Sequence, residues 1–206
     1  MFRVKRFLGM ALLVCGLCVI FGGSALAVPA DPVVSVKDTV DQIIAVLQDE
    51  KLSGPDKKSV RRSLVVDIVE KRFDFREMSM RTLARHWRDR TPAEQDKFVQ
   101  LFTKLLQNTY IAKIETYSGE KVVFRKHAVQ GDKAIVYSDL VRNNIETPVN
   151  YKLKMRNDIW MVYDVEVEGV SLVNNYRTQF SSILEKEKFA GLISRIEEKV
   201  NKGQTE

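Results

Sequence analysis

The chain has 206 residues, of which 45% are hydrophobic, and a formal net charge of +6. The first 27 residues contain Arg3, Lys5 and Arg6 and no acidic residue, so the rest of the chain carries 6 − 3 = +3. This surplus of positive charge is too small to indicate nucleic-acid binding. Weak attraction to an anionic membrane surface remains an alternative.

The beginning of the chain has the pattern of a secretory signal peptide. A basic start precedes an apolar run from Phe7 to Phe21, and Ala25-Leu26-Ala27 offers the small residues of a cleavage site. The run is shorter than the ~20 residues of a spanning helix, which makes an uncleaved anchor the weaker alternative. We therefore expect a cleaved signal peptide over residues 1–27 and an exported protein. Both cysteines, Cys15 and Cys18, would leave with it.

The first half of the remaining chain is predicted to be helical. Apolar residues recur at helical spacing from Val36 to Leu47, and again from Val60 to Phe73 after a break at 53–55, where Asp56 is a candidate cap. Asp74 and Glu77 predict a capping box for a third helix, and Thr91-Pro92-Ala93-Glu94 predicts the start of a long fourth helix.

The second half changes to the period of β-strands. Residues 121–129 and 133–141 are rich in β-branched side chains, and the segment 149–156 alternates strictly between apolar and polar positions. In the segment 160–167, one face is expected to carry Met161, Tyr163, Val165 and Val167, and the other Trp160, Val162, Asp164 and Glu166. Short turns separate these segments, which favours an antiparallel meander. Ser171 is a candidate cap for a C-terminal helix that bends near Gly191, and a polar tail follows at 201–206.

These patterns predict one α+β domain over residues 28–200. We expect a curved, antiparallel, four-stranded meander packed against N-terminal and C-terminal helices. A curved sheet closing over helices tends to leave a hollow, and large ligand pockets are typically apolar hollows of this kind.

The sequence offers little catalytic chemistry, and we predict that the protein is not an enzyme. His86 and His127 are far apart with no metal-ligand spacing, and no metal, phosphate-loop or nucleophile motif is present. The alternative is a cavity-type small-molecule enzyme with Asp164 as the base, since a strand carboxylate can serve in that role. No metal and no cofactor are expected.

Three separated segments resemble the MlaC family of periplasmic phospholipid-binding proteins, the toluene-tolerance or Mla ABC transporter auxiliary components. The first segment is Phe73-Asp74-Phe75-Arg76-Glu77-Met78 with Leu83 and Trp87. The second is Thr91 to Gln95 with the apolar stripe that follows, and the third runs from Tyr163 to Phe180. The resemblance covers about residues 33 to 198. Ala84 stands where the family often has glycine.

The resemblance implies a periplasmic carrier with a diacyl phospholipid as cargo. Its expected partners are an inner-membrane ABC transporter bearing MCE domains and an outer-membrane lipoprotein–porin complex, and its expected role is to maintain outer-membrane lipid asymmetry. It also implies a set of lipid-binding residues on the fourth helix, the sheet and the strand-to-helix corner. These are Phe98, Phe102, Leu105, Leu106, Tyr110, Tyr151, Leu153, Met161, Tyr163, Val165, Val167, Val170, Val173 and Tyr176.

Two points stay open at this level. Arg177 is a candidate contact for the lipid headgroup or a partner, or else an ordinary helix charge. The same apolar residues could fill a core and leave no cavity, which would make the protein a docking adaptor. Spacing alone cannot separate a filled core from a hollow one.

Overall fold

The computed structural model describes residues 31–203. The predicted signal peptide, residues 1–27, lies outside the described residues, as do residues 204–206 of the predicted tail. Within residues 31–203, five α-helices and five β-strands follow in the order α1 Pro32–Gln48, α2 Lys58–Arg72, α3 Phe75–Leu83, α4 Pro92–Glu115, β1 Lys121–Gln130, β2 Lys133–Arg142, β3 Ile145–Arg156, β4 Ile159–Val167, β5 Val170–Ser171 and α5 Leu172–Lys202.

Side-chain caps fix most helix starts. The Thr91 side chain accepts from the backbone N–H of Glu94, whose carboxylate accepts in return from the Thr91 backbone. The predicted start of α4 is therefore confirmed, and it is a capping box. At α3, Asp74 caps the Glu77 N–H at 2.8 Å, but the Glu77 carboxylate turns to basic residues instead of completing the box. The expected cap of α2 by Asp56 is wrong, because Asp56 lies in the short 3-10 turn Pro55–Lys57 that precedes this helix.

The sheet is antiparallel with strand order β1-β2-β3-β4-β5, which confirms the α+β class. It has one more strand than predicted, because the residues after Gly169 pair with β4 as the two-residue strand β5. Tight turns with positive φ at Asn143-Asn144 and Glu168-Gly169 join the strands at one end of the sheet. Such left-handed turns match the twist of the strands they connect.

Two irregularities bend the sheet and change which residues face inward. The register shifts between Phe124 and His127 in β1, and between β3 and β4 next to Leu153. A bulge adds a residue to one strand and increases its local curvature. In β4 the extra residue falls near Tyr163, so Trp160 and Val162 face the core before this point and Val165 after it. The alternation expected for residues 160–167 is therefore wrong, because Trp160 and Val162 share the core face with Val165.

Apolar side chains form two separate clusters. The helical core joins α3, α4 and α5 around Phe98, Phe102 and Phe180, whose rings lie 5.6 to 5.9 Å apart. The sheet core joins α1 to β2, β3 and β4 around Val36 and Leu153. The two clusters meet at the segment between α2 and α3.

That segment is the first of the three sequence motifs, and it ties the helices to the sheet. Phe73 forms a parallel bridge to Val162, and the Asp74 N–H donates to the Val162 carbonyl at 2.8 Å. Arg156 of β3 reaches back to the carboxylates of Asp74 and Glu77, at 3.2 and 2.6 Å. The motif therefore has a structural role in this chain.

The last helix is broken, although at a different place from the predicted one. Lys188 has φ 61° and ψ −171° inside α5, three residues before the expected bend at Gly191. Beyond the break the helix returns Leu192 and Ile196 to the helical core and continues to Lys202. The first residues of the predicted polar tail are thus helical.

Candidate functional site

A cavity of about 1000 Å³ lies between α1, the C-terminal part of α4 and the strands of the sheet. This volume is at the upper end of the about 300 to 1,000 Å³ typical of small-molecule pockets. Most of its lining is aliphatic or aromatic: α1 contributes Val40, Ile43, Ile44 and Leu47, and the strands contribute Val122, Leu140, Val149, Tyr151, Val165 and Val167. The fold therefore contains a hollow as well as a filled core.

The cavity has a closed floor and an open mouth. Along β3, Ile145 is 68% exposed, Val149 and Tyr151 are half-buried, and Leu153 is fully buried. β4 runs the opposite way with the same trend, since Val167 is 43% exposed and Val162 is buried. At about 3.3 Å per residue, the distance from Ile145 to Tyr151 is about 20 Å. The mouth lies at the two tight turns, 143–144 and 168–169, and the sheet core forms the floor.

Helix α1 explains why the space stays open. Its fully buried side chains, which include Val36 and Thr39, all lie in its first half, where they pack on the sheet. In its second half Ile43, Ile44 and Leu47 are only half-buried and line the cavity. An apolar helix face that meets no partner side chains leaves dispersion contacts unmade. An apolar ligand in the cavity would supply them.

Polar groups gather at the mouth, near the end of α4. Lys113 of α4, Glu120 before β1 and Arg142 at the end of β2 all border the cavity. The Glu120 carboxylate accepts from the Ser118 N–H at 2.7 Å and from the Ser118 hydroxyl at 3.1 Å. The backbone hydrogen bond from Ser118 is the main reason that the pKa of Glu120 lies below its ordinary value. Gln48 donates to the Tyr117 hydroxyl at 3.2 Å, which joins the end of α1 to this segment.

Two tyrosines mark the poorly hydrated part of the wall. Burial raises the pKa of Tyr151 to about 12, and the part of its side chain that remains exposed faces the cavity. Burial also raises the pKa of Tyr110 to about 12, with a further contribution from the neighbouring Tyr176 hydroxyl. Tyr176 itself does not line the cavity, because its side chain is buried against Phe102 in the helical core.

Only part of the expected binding set borders the cavity. Tyr110, Tyr151, Val165, Val167 and Val170 line it. The other expected residues do not line it. Six are buried in the helical core: Phe98, Phe102, Leu105, Leu106, Val173 and Tyr176. Tyr163 packs against the helical core, Leu153 lies in the sheet core, and Met161 also lies outside the lining.

This placement corrects the expected wall. The apolar stripe of α4 faces α3 and α5 over most of its length, and only its end, at Tyr110 and Ile114, reaches the cavity. Helix α1, which the sequence interpretation left without a role, supplies the wall instead. Its apolar spacing is the same as that of a core helix, so no signal in the sequence distinguished the two.

Two polar candidates have structural partners. Arg177 donates from Nε to the Arg81 carbonyl near the end of α3 at 2.8 Å and does not border the cavity. The headgroup role expected for Arg177 therefore has no support in its position.

Asp164, the candidate base of the enzyme alternative, also lies outside the lining. It accepts from the Ser171 hydroxyl at 2.6 Å and from the Val173 N–H at 3.0 Å, and Lys152 lies 3.3 Å away. The hydrogen bonds from Ser171 and Val173 connect β4 to the start of α5. A general base needs access to the proton that it removes, and Asp164 is only 4% exposed.

Residues 31–203 contain neither a candidate metal site nor a candidate membrane-spanning helix. Within that range no group of three or more His, Cys, Asp or Glu side chains could hold a metal ion. None of the helices in the same range is both long and apolar enough to cross a membrane.

Comparisons with known proteins agree with this architecture. A family model described as "MlaC protein" matches residues 37–198. The "Intermembrane phospholipid transport system binding protein MlaC" of Haemophilus influenzae is 19% identical over 173 residues, which cover 81% of either chain. A phospholipid-binding protein from Ralstonia solanacearum, solved in complex with a phospholipid, superposes with a TM-score of 0.76 at 24% identity, over 85% of this chain and 99% of that one.

The structure thus defines an α+β domain in which a curved antiparallel sheet and helices surround an open apolar cavity. With a family match that spans most of its length, the chain belongs to the MlaC family.

Proposed function

We propose that this protein is a periplasmic carrier that holds the acyl chains of one diacyl phospholipid in the cavity between α1, α4 and the sheet. The observation that carries this proposal is the gradient from an exposed apolar mouth at Ile145 to a fully buried floor at Leu153. The names of the Haemophilus influenzae and Ralstonia solanacearum relatives, which refer to phospholipid transport and binding, support it.

The dimensions of the cavity suit such a cargo. An acyl chain spans about half of the ~30 Å hydrocarbon core of a bilayer, or about 15 Å, and the cavity extends about 20 Å along β3. Two chains with about thirty methylenes would cost on the order of 24 kcal/mol if exposed to water. A carrier that crosses an aqueous compartment must keep them dry. The binding residues in this proposal are those of the lining, with α1 in place of the core of α4.

The lipid would be exchanged at two membranes. We propose an inner-membrane ABC transporter bearing MCE domains and an outer-membrane lipoprotein–porin complex as the partners, with the maintenance of outer-membrane lipid asymmetry as the result. Because the cavity and the bilayer each shield the acyl chains, transfer between them need not be strongly uphill. Energy and direction would come from the transporter.

The direct test is mass spectrometry of organic extracts from protein purified out of the periplasm, together with native mass measurement. We expect one diacyl glycerophospholipid per chain. Protein that is empty, and that takes no lipid from vesicles, would refute the carrier. Transfer to vesicles containing each membrane complex, compared with vesicles lacking it, tests the partners separately.

The enzyme alternative receives no support from the site. The buried Asp164 has its carboxylate oxygens engaged by Ser171 and Val173. The docking adaptor required a filled core, whereas the chain has a cavity of about 1000 Å³.

A further inference from the structure

We propose that Lys113 and Arg142 form a phosphate-binding site at the mouth of the cavity, an inference that rests on the proposed phospholipid cargo. The site would bind the phosphodiester that all glycerophospholipids share. It takes the place of the headgroup contact first expected at Arg177, which lies elsewhere.

Lys113 is a cation at an apolar wall without an acidic partner. It lies in the last turn of α4, and within residues 31–203 it forms no ion pair. Its Nζ lies 5.4 Å from the centre of the Tyr110 ring, a cation–π contact that holds it beside the lining. A lysine ammonium has three donors, so Lys113 can donate to an anion that enters the mouth.

Arg142 is oriented by a fixed carboxylate. Its Nε lies 3.4 Å from Glu120 Oε1, while its side chain is 62% exposed. Glu120 is itself held by the hydrogen bonds from Ser118. This contact uses one edge of the guanidinium and leaves the terminal nitrogens available, and a guanidinium fork suits phosphate oxygens. Arg142 is thus positioned over the mouth, and its terminal nitrogens are available as hydrogen-bond donors to a phosphate.

The two cations lie at the level where a lipid phosphate would stand. The segment from Thr116 to Glu120 joins the end of α4 to β1, and the first residue of β1, Lys121, pairs with Val141 next to Arg142. The acyl chains, each about 15 Å long, would extend inward from this level into the cavity. Their glycerol phosphate would then remain at the mouth, between Lys113 and Arg142. No other part of the headgroup needs a contact for this arrangement.

The site therefore predicts selection for the phosphate and not for the rest of the headgroup. Diacylglycerol carries the same tails without a phosphate, so it should compete poorly with any phospholipid in the native protein. Removing the two cations should abolish that preference while leaving the apolar wall able to hold tails.

The test compares lipid-free native protein with the double variant Lys113→Glu/Arg142→Glu. The control, Lys104→Glu/Lys133→Glu, makes the same charge change at exposed positions outside the lining. Each protein is incubated with vesicles that contain dioleoyl phosphatidylethanolamine, dioleoyl phosphatidylglycerol and dioleoylglycerol in equal amounts, and the bound lipids are quantified by mass spectrometry. Circular dichroism verifies folding, and Lys113→Gln/Arg142→Gln serves as a milder second variant.

We expect the ratio of bound phospholipid to diacylglycerol to fall about tenfold or more in both mouth variants, because charge-assisted hydrogen bonds are lost. The ratio should stay unchanged in the control. An unchanged ratio in the mouth variants would overturn the site while the carrier function stands. Native protein that takes neither lipid would overturn the carrier and this site together.

A further experiment tests whether the site binds the phosphate of a lipid or free inorganic phosphate. Inorganic phosphate is titrated into lipid-free protein by calorimetry. We expect no saturable binding at millimolar concentration, since free phosphate lacks the tails that bring the diester to the mouth. Saturable binding that the mouth variants lose, together with an unchanged lipid ratio, would assign these cations to free phosphate and refute the proposal.

Discussion

Replacing Val165 by glutamate should empty the cavity without unfolding the domain. Val165 lines the cavity and pairs across the sheet with Tyr151. In the lipid-free protein a carboxylate there can be hydrated from the open mouth. Once acyl chains fill the cavity, the carboxylate must either lose its water or take up a proton.

The cost has a lower and an upper bound. A carboxylate that loses its water without gaining another hydrogen-bond partner costs about 2 kcal/mol or more. Protonating a glutamate of ordinary pKa at pH 7 costs about 4 kcal/mol. We therefore expect phospholipid retention to weaken roughly 30- to 800-fold at pH 7.

The assay is bound phospholipid per folded protein after incubation with vesicles, measured by mass spectrometry at pH 7 and pH 4.5. The defect should shrink at the lower pH, because the carboxyl is then largely protonated before lipid binds. Val129→Glu is the matched control, since Val129 of β1 is 51% exposed and lies outside the lining, so its glutamate remains in water with or without lipid. It should change retention by only about twofold. A folded Val165→Glu protein with native lipid content at pH 7 would refute the assignment of the cavity.

Three further predictions concern the framework around the cavity. Phe102→Ala removes a ring buried in the helical core, so the free energy of unfolding measured in urea should fall by about 3–5 kcal/mol, with lipid content per folded molecule unchanged. Glu77→Gln leaves the cations of Arg81, Lys154 and Arg156 without their buried carboxylate, so the unfolding free energy at pH 7 should fall by about 1–3 kcal/mol. Ala84 has a strained backbone conformation, with φ 50° and ψ −122°, which glycine adopts more easily. Ala84→Gly should therefore raise the unfolding free energy by up to about 2 kcal/mol, because the strain that is relieved exceeds the entropy that glycine loses on folding.

The pH dependence of Glu77 has a definite sign. Burial raises the pKa of Glu77, but the hydrogen bond from Arg81 and the charges of Arg81, Lys154 and Arg156 together hold this pKa below its ordinary value of 4.5. The ionised carboxylate therefore stabilises the fold above the unfolded pKa, and this contribution is lost as the pH falls through the lower, folded pKa. The difference between native protein and Glu77→Gln should shrink below about pH 4.

Each of these predictions has an outcome that contradicts it. If folded Phe102→Ala loses its lipid, the apolar stripe of α4 around Phe102 lines the cavity after all. A stability difference for Glu77→Gln that is the same at pH 3 and pH 7 would show that its charge is not involved. For Ala84→Gly the control is Ala112→Gly within α4, which should lose about 0.5–1 kcal/mol; a similar loss at Ala84 would show that its backbone is not strained.

Local patterns in the sequence determined the elements of this fold. The capping pair Thr91 and Glu94, the helical spacing of α1 and the period of β3 depend on neighbours within a few residues, which is why they could be interpreted without a structure. The three separated motifs indicated the family for the same reason. Their roles here are largely structural, since Asp74 joins α3 to β4 and Asp164 joins β4 to α5.

The tertiary structure alone decided which apolar residues surround the cavity. A stripe of leucine, isoleucine and phenylalanine has the same spacing whether it meets a neighbouring helix or an open space, so Phe102 and Ile44 looked alike as sequence. The bulge near Tyr163 shifted the inward positions of β4 by one residue, which periodicity cannot anticipate. The pairing of Glu120 with Arg142 beside Lys113 depends on how α4 and the end of β2 are brought together. Burial and charge at the mouth are properties of that long-range packing.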